Sequence, residues 1–95
     1  DYELKWHLSG EPFLTEPGKL INAVHQAVTE FTGIAPELST GGGTSDGRFI
    51  SPAGVDVVEL GPVNASIHKI DEHVSVDDVV TLTAMYKRIM ELMLL

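Results

Sequence analysis

The chain has 95 residues, of which 43% are apolar, and it carries a formal net charge of −8 with no cysteine. The acidic excess repels phosphate backbones and anionic lipid, which argues against nucleic acid and membrane surfaces as partners. Without cysteine, disulfides and thiolate metal sites are excluded, so imidazole and carboxylate groups would have to hold any metal ion.

A strand is predicted at the start of the chain, over residues 2–8. Apolar side chains alternate there with polar ones, at Tyr2, Leu4, Trp6 and Leu8. This alternation is typical of a strand with one buried face. Because the chain opens inside this pattern and without an initiator Met, we expect it to be part of a longer polypeptide or a processed product.

Two amphipathic helices are predicted from apolar residues at helical spacing. The first covers residues 17–32, with Thr15 available as a cap and Gly33 as its end. The second begins after Ser75, whose spacing from Asp78 resembles a capping box, and continues to the C terminus. His25 lies within the first helix, where we expect it to face solvent or the boundary of the core.

A glycine-rich segment follows a short predicted strand over residues 34–39. Three consecutive glycines, Gly41 to Gly43, allow positive φ angles and a close approach of backbone N–H groups to a ligand. Thr44 or Ser45 can cap a short helix whose positive end would favour an anion. The segment is either such a ligand cradle or a flexible turn. It lacks the spacing of dinucleotide-binding and Walker motifs.

The densest group of chemically active side chains lies in residues 64–73, after a third predicted strand over residues 55–60. His68, Asp71, Glu72 and His73 fall within six positions. A loop this short rarely wraps several ligands around one ion, so we expect one ligand at most, with the other side chains bracing the loop. For His68, the ligand and structural interpretations both remain open on local grounds.

Strands alternating with helices predict an α/β fold with a mostly parallel sheet and helices packed on it. Ligands of such sheets gather at the carboxyl ends of the strands. Both the glycine-rich segment and residues 64–73 follow predicted strands, so we expect them to open on the same edge of the sheet.

Three blocks of the sequence resemble a known family. They are WHLSGEPFLT over residues 6–15, STGGGTSDGRF over residues 39–49 and GPVNASIHKIDE over residues 61–72. Together they resemble the C-terminal quarter of enzymes in the aminoacylase-like family of two-zinc amidohydrolases. The resemblance implies that residues 1–9 are the last strand of an inserted lid or dimerisation domain. Residues 10–15 would be the crossover linker, and residues 16–95 the C-terminal part of a zinc-hydrolase catalytic domain.

The resemblance also implies an activity, zinc-dependent hydrolysis of N-succinyl-LL-2,6-diaminopimelate to succinate and LL-diaminopimelate. This reaction serves lysine and cell-wall synthesis in the cytoplasm. By the same resemblance, His68 binds one of two zinc ions, or cobalt in their place, and Gly43, Thr44, Arg48 and Asn64 contact the substrate. Asp46 is assigned to bracing Arg48.

The family's remaining metal ligands and its general base belong to an N-terminal part that these 95 residues do not include. No catalytic residue is therefore predicted in this segment, and the chain alone should be inactive. Its expected partners are the remaining N-terminal part of the same enzyme, a second copy in a homodimer, and a dicarboxylate amide substrate. Two alternatives stay open: a related deacylase that acts on acetylornithine, and a non-catalytic α/β module that binds a small anion.

Overall fold

The computed structural model describes residues 1–95, and its first regular element is the helix α1, Lys19–Thr32. Gly18 precedes the helix without a side-chain cap, so the predicted capping role of Thr15 is not seen. Gly33 ends it in the left-handed region, with φ at 70°, and its N–H donates to Thr29 O at 2.9 Å. A residue without Cβ takes this conformation at no steric cost, so the predicted end of the helix is confirmed.

A short helix and a long one complete the regular structure. The short helix, α2 (Gly47–Ile50), runs directly into a 3-10 turn, Ser51–Ala53, that ends at Gly54. The long helix, α3, covers Val76–Leu94. At its start the Ser75 hydroxyl accepts from Asp78 N at 3.4 Å, and the acidic Asp77 and Asp78 lie in the first turn. The predicted cap of α3 is thus confirmed, since it satisfies one of the free N–H groups of the helix start.

Packing of α1 against α3 forms the core of the chain. Ala23 and Ala27 of α1 meet Ile89 of α3, and half-buried apolar residues surround them: Leu20, Val24, Leu60, Leu92 and Met93. Small alanine side chains let the two helices approach closely. The start of α1 lies beside the end of α3, because Lys19 Nζ donates to Met93 O at 2.8 Å.

An ion pair joins the last turn of α1 to α3. Arg88 Nε lies 2.8 Å from Glu30 Oε2, and Arg88 Nη2 lies 3.3 Å from Glu30 Oε1. This hydrogen-bonded guanidinium lowers the pKa of Glu30 below its ordinary value of 4.5. Both side chains are about one-third exposed or more, so the pair adds little stability.

The predicted α/β class with a mostly parallel sheet is wrong, because the structure is helical and contains no strand. Residues 2–8, 34–39 and 55–60 lie outside the helices and form no ladder with one another. Of the 37 backbone hydrogen bonds, 28 lie within helices and the other 9 close turns or helix ends. Alternation of apolar side chains is a local signal, whereas a strand exists only when a neighbouring strand takes its N–H and C=O groups.

The chain is expanded for its length. Its radius of gyration is 16.5 Å, against about 12 Å for a compact chain of this size. It exposes 7940 Å², where a folded protein of this mass exposes roughly 5,400 Å². Many large apolar side chains are exposed, and Tyr2 and Trp6 are 95% and 88% exposed. None of the helices combines the length and the apolar character needed to cross a bilayer.

Candidate functional site

Residues 64–73, the histidine loop, form consecutive turns, and the Ser66 side chain links the start of the loop to its end. Ile67 N donates to Asn64 O at 3.0 Å and Lys69 N donates to Ser66 O at 3.1 Å. The Ser66 hydroxyl donates to His73 O and accepts from His73 N, both at 3.0 Å. Because this hydroxyl satisfies both backbone groups of His73, it joins the two ends of the loop.

His68 lies at the exposed tip of the histidine loop in an unusual backbone conformation. Its φ is 60°, and Asp71 three residues later has the same value. A non-glycine residue with positive φ is uncommon, although His and Asp are among the residues that tolerate it best. The turn thereby points His68 outward, while the His73 ring is used locally, with Nδ1 2.7 Å from Asp71 O. The two histidines therefore differ in their local contacts.

The glycine-rich segment, called the glycine loop below (residues 39–46), leads into α2. Ser39 Oγ accepts from Gly41 N at 2.9 Å, and Ser45 Oγ accepts from Gly47 N at 3.2 Å. Between them Gly43 has open space where a Cβ would lie, and Thr44 is exposed. The loop therefore presents its backbone to solvent and is anchored at both ends by serine hydroxyls.

Arg48 follows the glycine loop and is held by main-chain carbonyls. Its Nη1 donates to Ser45 O at 2.8 Å, and its Nε donates to Ser9 O at 3.3 Å. The guanidinium carbon lies 4.2 Å from the centre of the Phe49 ring, in the range of a cation–π contact. No ion pair joins Asp46 to Arg48, so the bracing that the sequence assigned to Asp46 comes from Ser9 and Ser45.

The crossover segment, residues 10–15, is fastened to the same region. The Thr15 hydroxyl donates to Val57 O and accepts from Val57 N, the latter at 3.2 Å. Gly47 is buried, and a Cβ there would lie 2.8 Å from Phe13 Cζ and 2.9 Å from Val57 Cγ1. Glycine at 47 thus lets α2 pack directly onto the crossover segment.

The structure leaves the predicted site residues in two separate groups. Gly43, Thr44 and Arg48 lie together around the start of α2, whereas Asn64 and His68 lie in the histidine loop. No hydrogen bond or ion pair joins the two loops. Without a sheet, nothing in this chain holds them at a common edge. The chain also contains no group of three or more His, Asp or Glu side chains that could hold a metal ion.

Three contributors to these loops were not found by sequence reasoning. Ser66 closes the histidine loop, Ser9 braces Arg48, and Gly10 lies under the Arg48 side chain. In the sequence, Gly10 was assigned only to the crossover linker, residues 10–15. Each acts through a tertiary or medium-range contact that carries no local sequence signal.

Comparison with known proteins identifies the family. The model of the peptidase family M20/M25/M40 matches residues 1–92, nearly the whole chain. The chain belongs to this family. Membership agrees with the resemblance carried by the three sequence blocks.

Curated relatives within this family are similar over almost the entire chain. A succinyl-diaminopimelate desuccinylase of Nitrosococcus oceani is 62% identical over 94 residues, 99% of this chain and 25% of the relative. The enzyme of that name from Methylococcus capsulatus is 60% identical over 89 residues, which are 94% of this chain and 24% of the relative. The one from Thioalkalivibrio sulfidiphilus is 58% identical over 94 residues, which are 99% of this chain and 25% of the relative. The chain thus spans about a quarter of the length of these relatives.

Proposed function

We propose that the chain is the C-terminal quarter of a zinc-dependent succinyl-diaminopimelate desuccinylase. The observation that carries the proposal is an identity of 62% over 94 residues to a relative of that name. The match covers 25% of that relative. The full-length enzyme would hydrolyse the succinyl amide of N-succinyl-LL-2,6-diaminopimelate to succinate and LL-diaminopimelate. The large apolar surface of the 95 residues supports the same proposal, since a longer polypeptide would cover it.

The proposed division of the chain assigns residues 1–9 to a dimerisation domain, residues 10–15 to the crossover and residues 16–95 to the catalytic domain. The contacts support a boundary near Gly10. Side chains before it are exposed, whereas Phe13 and Thr15 pack on α2 and Val57. The enzyme is further proposed to act as a homodimer in the cytoplasm. A chain free of cysteine is compatible with that reducing compartment.

His68 is the proposed metal ligand. Zinc in a catalytic site needs about three protein ligands, and this chain alone does not supply them. His68 would therefore add one imidazole to ligands from the rest of the polypeptide. Its exposed position leaves the imidazole accessible to a metal ion held by those other ligands. Bound zinc, or cobalt, would supply a Lewis acid and an activated water.

Arg48 is the proposed contact for a substrate carboxylate. A guanidinium has five N–H donors, and the chain uses those of Nε and one of Nη1. Both N–H groups of Nη2 make no hydrogen bond within the chain and remain available for a substrate carboxylate. Such charge-assisted hydrogen bonds suit a substrate rich in carboxylates. Asn64, exposed at the start of the histidine loop, would contribute a side-chain amide from the other group.

The metal role is tested by replacing His68 in the full-length enzyme. His68→Ala should remove one zinc equivalent per active site, measured by elemental analysis of the purified protein. His25→Ala is the matched control, because His25 is an exposed histidine on α1 and should leave the zinc content unchanged. An unaltered zinc content in His68→Ala would refute the assignment.

The fragment proposal is tested with the 95-residue chain itself. In the presence of zinc and succinyl-diaminopimelate it should show no turnover, because it lacks the remaining ligands. Turnover above background would refute the proposal. On the full-length enzyme, competition between succinyl-diaminopimelate and acetylornithine tests the acyl specificity, and preference for acetylornithine would contradict it.

A further inference from the structure

The side chain of Arg48 passes directly over the backbone of Gly10. A Cβ built at Gly10 would lie 2.4 Å from Arg48 Cδ, 3.1 Å from Nε and 3.2 Å from Cγ. These distances are shorter than van der Waals contact, so any side chain at position 10 and the present course of Arg48 exclude each other. Gly10 is not among the glycines with positive φ, which are Gly33, Gly42 and Gly54. Position 10 therefore requires glycine for space rather than for backbone conformation.

Arg48 has little freedom to move away from such a clash. The crowded atoms lie in the middle of its side chain, and the far end is held by Ser9 O and Ser45 O. One face of the guanidinium also lies on the Phe49 ring. Displacing Cδ would break at least the longer of the two hydrogen bonds, that to Ser9, and would redirect Nη2.

We propose that Gly10 is a positioning residue for substrate binding, because its missing side chain lets Arg48 lie across the crossover segment with Nη2 directed at a substrate carboxylate. This proposal rests on the proposed function, in which Arg48 contacts the substrate. It assigns to the crossover segment a part in substrate affinity, in addition to connecting two regions of the chain. Gly10 itself touches no reacting atom.

The test is a double-mutant cycle in the full-length enzyme, with succinyl-diaminopimelate as the substrate. Gly10→Ala should raise KM about tenfold, the equivalent of one weakened charge-assisted hydrogen bond, and should leave kcat within about twofold. Arg48→Ala should raise KM at least as much. If Gly10 acts only through Arg48, the double variant should have the KM of Arg48→Ala alone.

Gly61→Ala is the matched control. A Cβ at Gly61 meets nothing within 4 Å, and its φ is not positive. This variant should keep the KM of the unmodified enzyme. If Gly10→Ala does not give folded protein, as judged by circular dichroism, the double variant should fold because it lacks the crowded side chain. Failure of the double variant to fold would then overturn the proposal.

The outcomes distinguish a failure of the Arg48 substrate contact from a failure of the positioning role of Gly10. An unchanged KM in Arg48→Ala would refute the substrate contact itself, and the role of Gly10 with it. A raised KM in Arg48→Ala would support that contact. The positioning role of Gly10 alone would be overturned if Gly10→Ala then left KM unchanged. It would also be overturned if the increases in KM of the two single variants multiplied in the double variant.

Discussion

The hydroxyl of Thr15 makes two hydrogen bonds to one residue, and Thr15→Val removes both while keeping the shape of the side chain. Thr15 Oγ1 donates to Val57 O and accepts from Val57 N. Each neutral hydrogen bond contributes about 0.5–1.5 kcal/mol net, so the substitution should cost about 1–3 kcal/mol of local stability. Both residues are half-buried, so water replaces the lost partners only in part.

Hydrogen exchange of the full-length enzyme measures this local cost directly. A loss of about 1–3 kcal/mol should accelerate exchange of the Val57 N–H about five- to 140-fold, provided that the segment opens locally. Thr15→Ser keeps the hydroxyl and should retain most of the protection. If Val57 exchanged equally slowly in Thr15→Val and in the unmodified enzyme, the hydroxyl would not be what fastens the crossover segment.

Three further predictions concern the histidine loop and the helix pair. Ser66→Ala should accelerate exchange of the His73 N–H about fivefold or more, because the loop loses both bonds of its closing hydroxyl. Ala27→Leu should destabilise the packing of α1 on α3 by about 1–3 kcal/mol, since Ala27 is 0% exposed, and should lower the thermal midpoint. Glu30→Gln should remove a small pH-dependent contribution. Because Arg88 lowers the folded-state pKa of Glu30, this contribution is present above the ordinary value of 4.5 and is lost as the pH falls through the lower, folded-state value.

Controls separate these effects from general damage. Ser66→Thr keeps a hydroxyl at the loop closure and should preserve much of the protection of His73. His25→Leu adds an apolar side chain at an exposed position of α1 and should change stability by no more than about 0.5 kcal/mol. For Glu30, the difference in thermal midpoint between the unmodified enzyme and Glu30→Gln should shrink below pH 4.5. A difference that grew on acidification would contradict the ion pair with Arg88.

The helices could be predicted from the sequence because their signals are local. Gly33 ends α1 and Ser75 caps α3 through contacts that span only three or four residues. The predicted bounds of α1 were close for the same reason, although its start at Lys19 lies two residues later than expected. Hydrophobic spacing also predicted the faces that meet, since Ala27 and Val24 lie on the packed side of α1.

The sheet was predicted wrongly because a strand depends on partners that its own sequence does not specify. Residues 2–8 alternate as a strand would, yet Tyr2 and Trp6 are almost fully exposed and no other segment of the chain pairs with this stretch. The expected position of the candidate site depended on the same sheet. His68 and Arg48 were singled out by residue type and motif, but the expected common sheet edge does not exist in this chain.

The sequence by itself determined the chemistry this chain can offer and the family to which it belongs. With no cysteine, its potential metal ligands are imidazole and carboxylate groups, and the three sequence blocks are specific enough to identify the family. Only the tertiary structure decided how Arg48 is held. Its contact with Ser9 spans 39 residues, and the space it occupies exists because Gly10 has no side chain. Contacts over such separations depend on how the whole chain folds back, which local pattern does not encode.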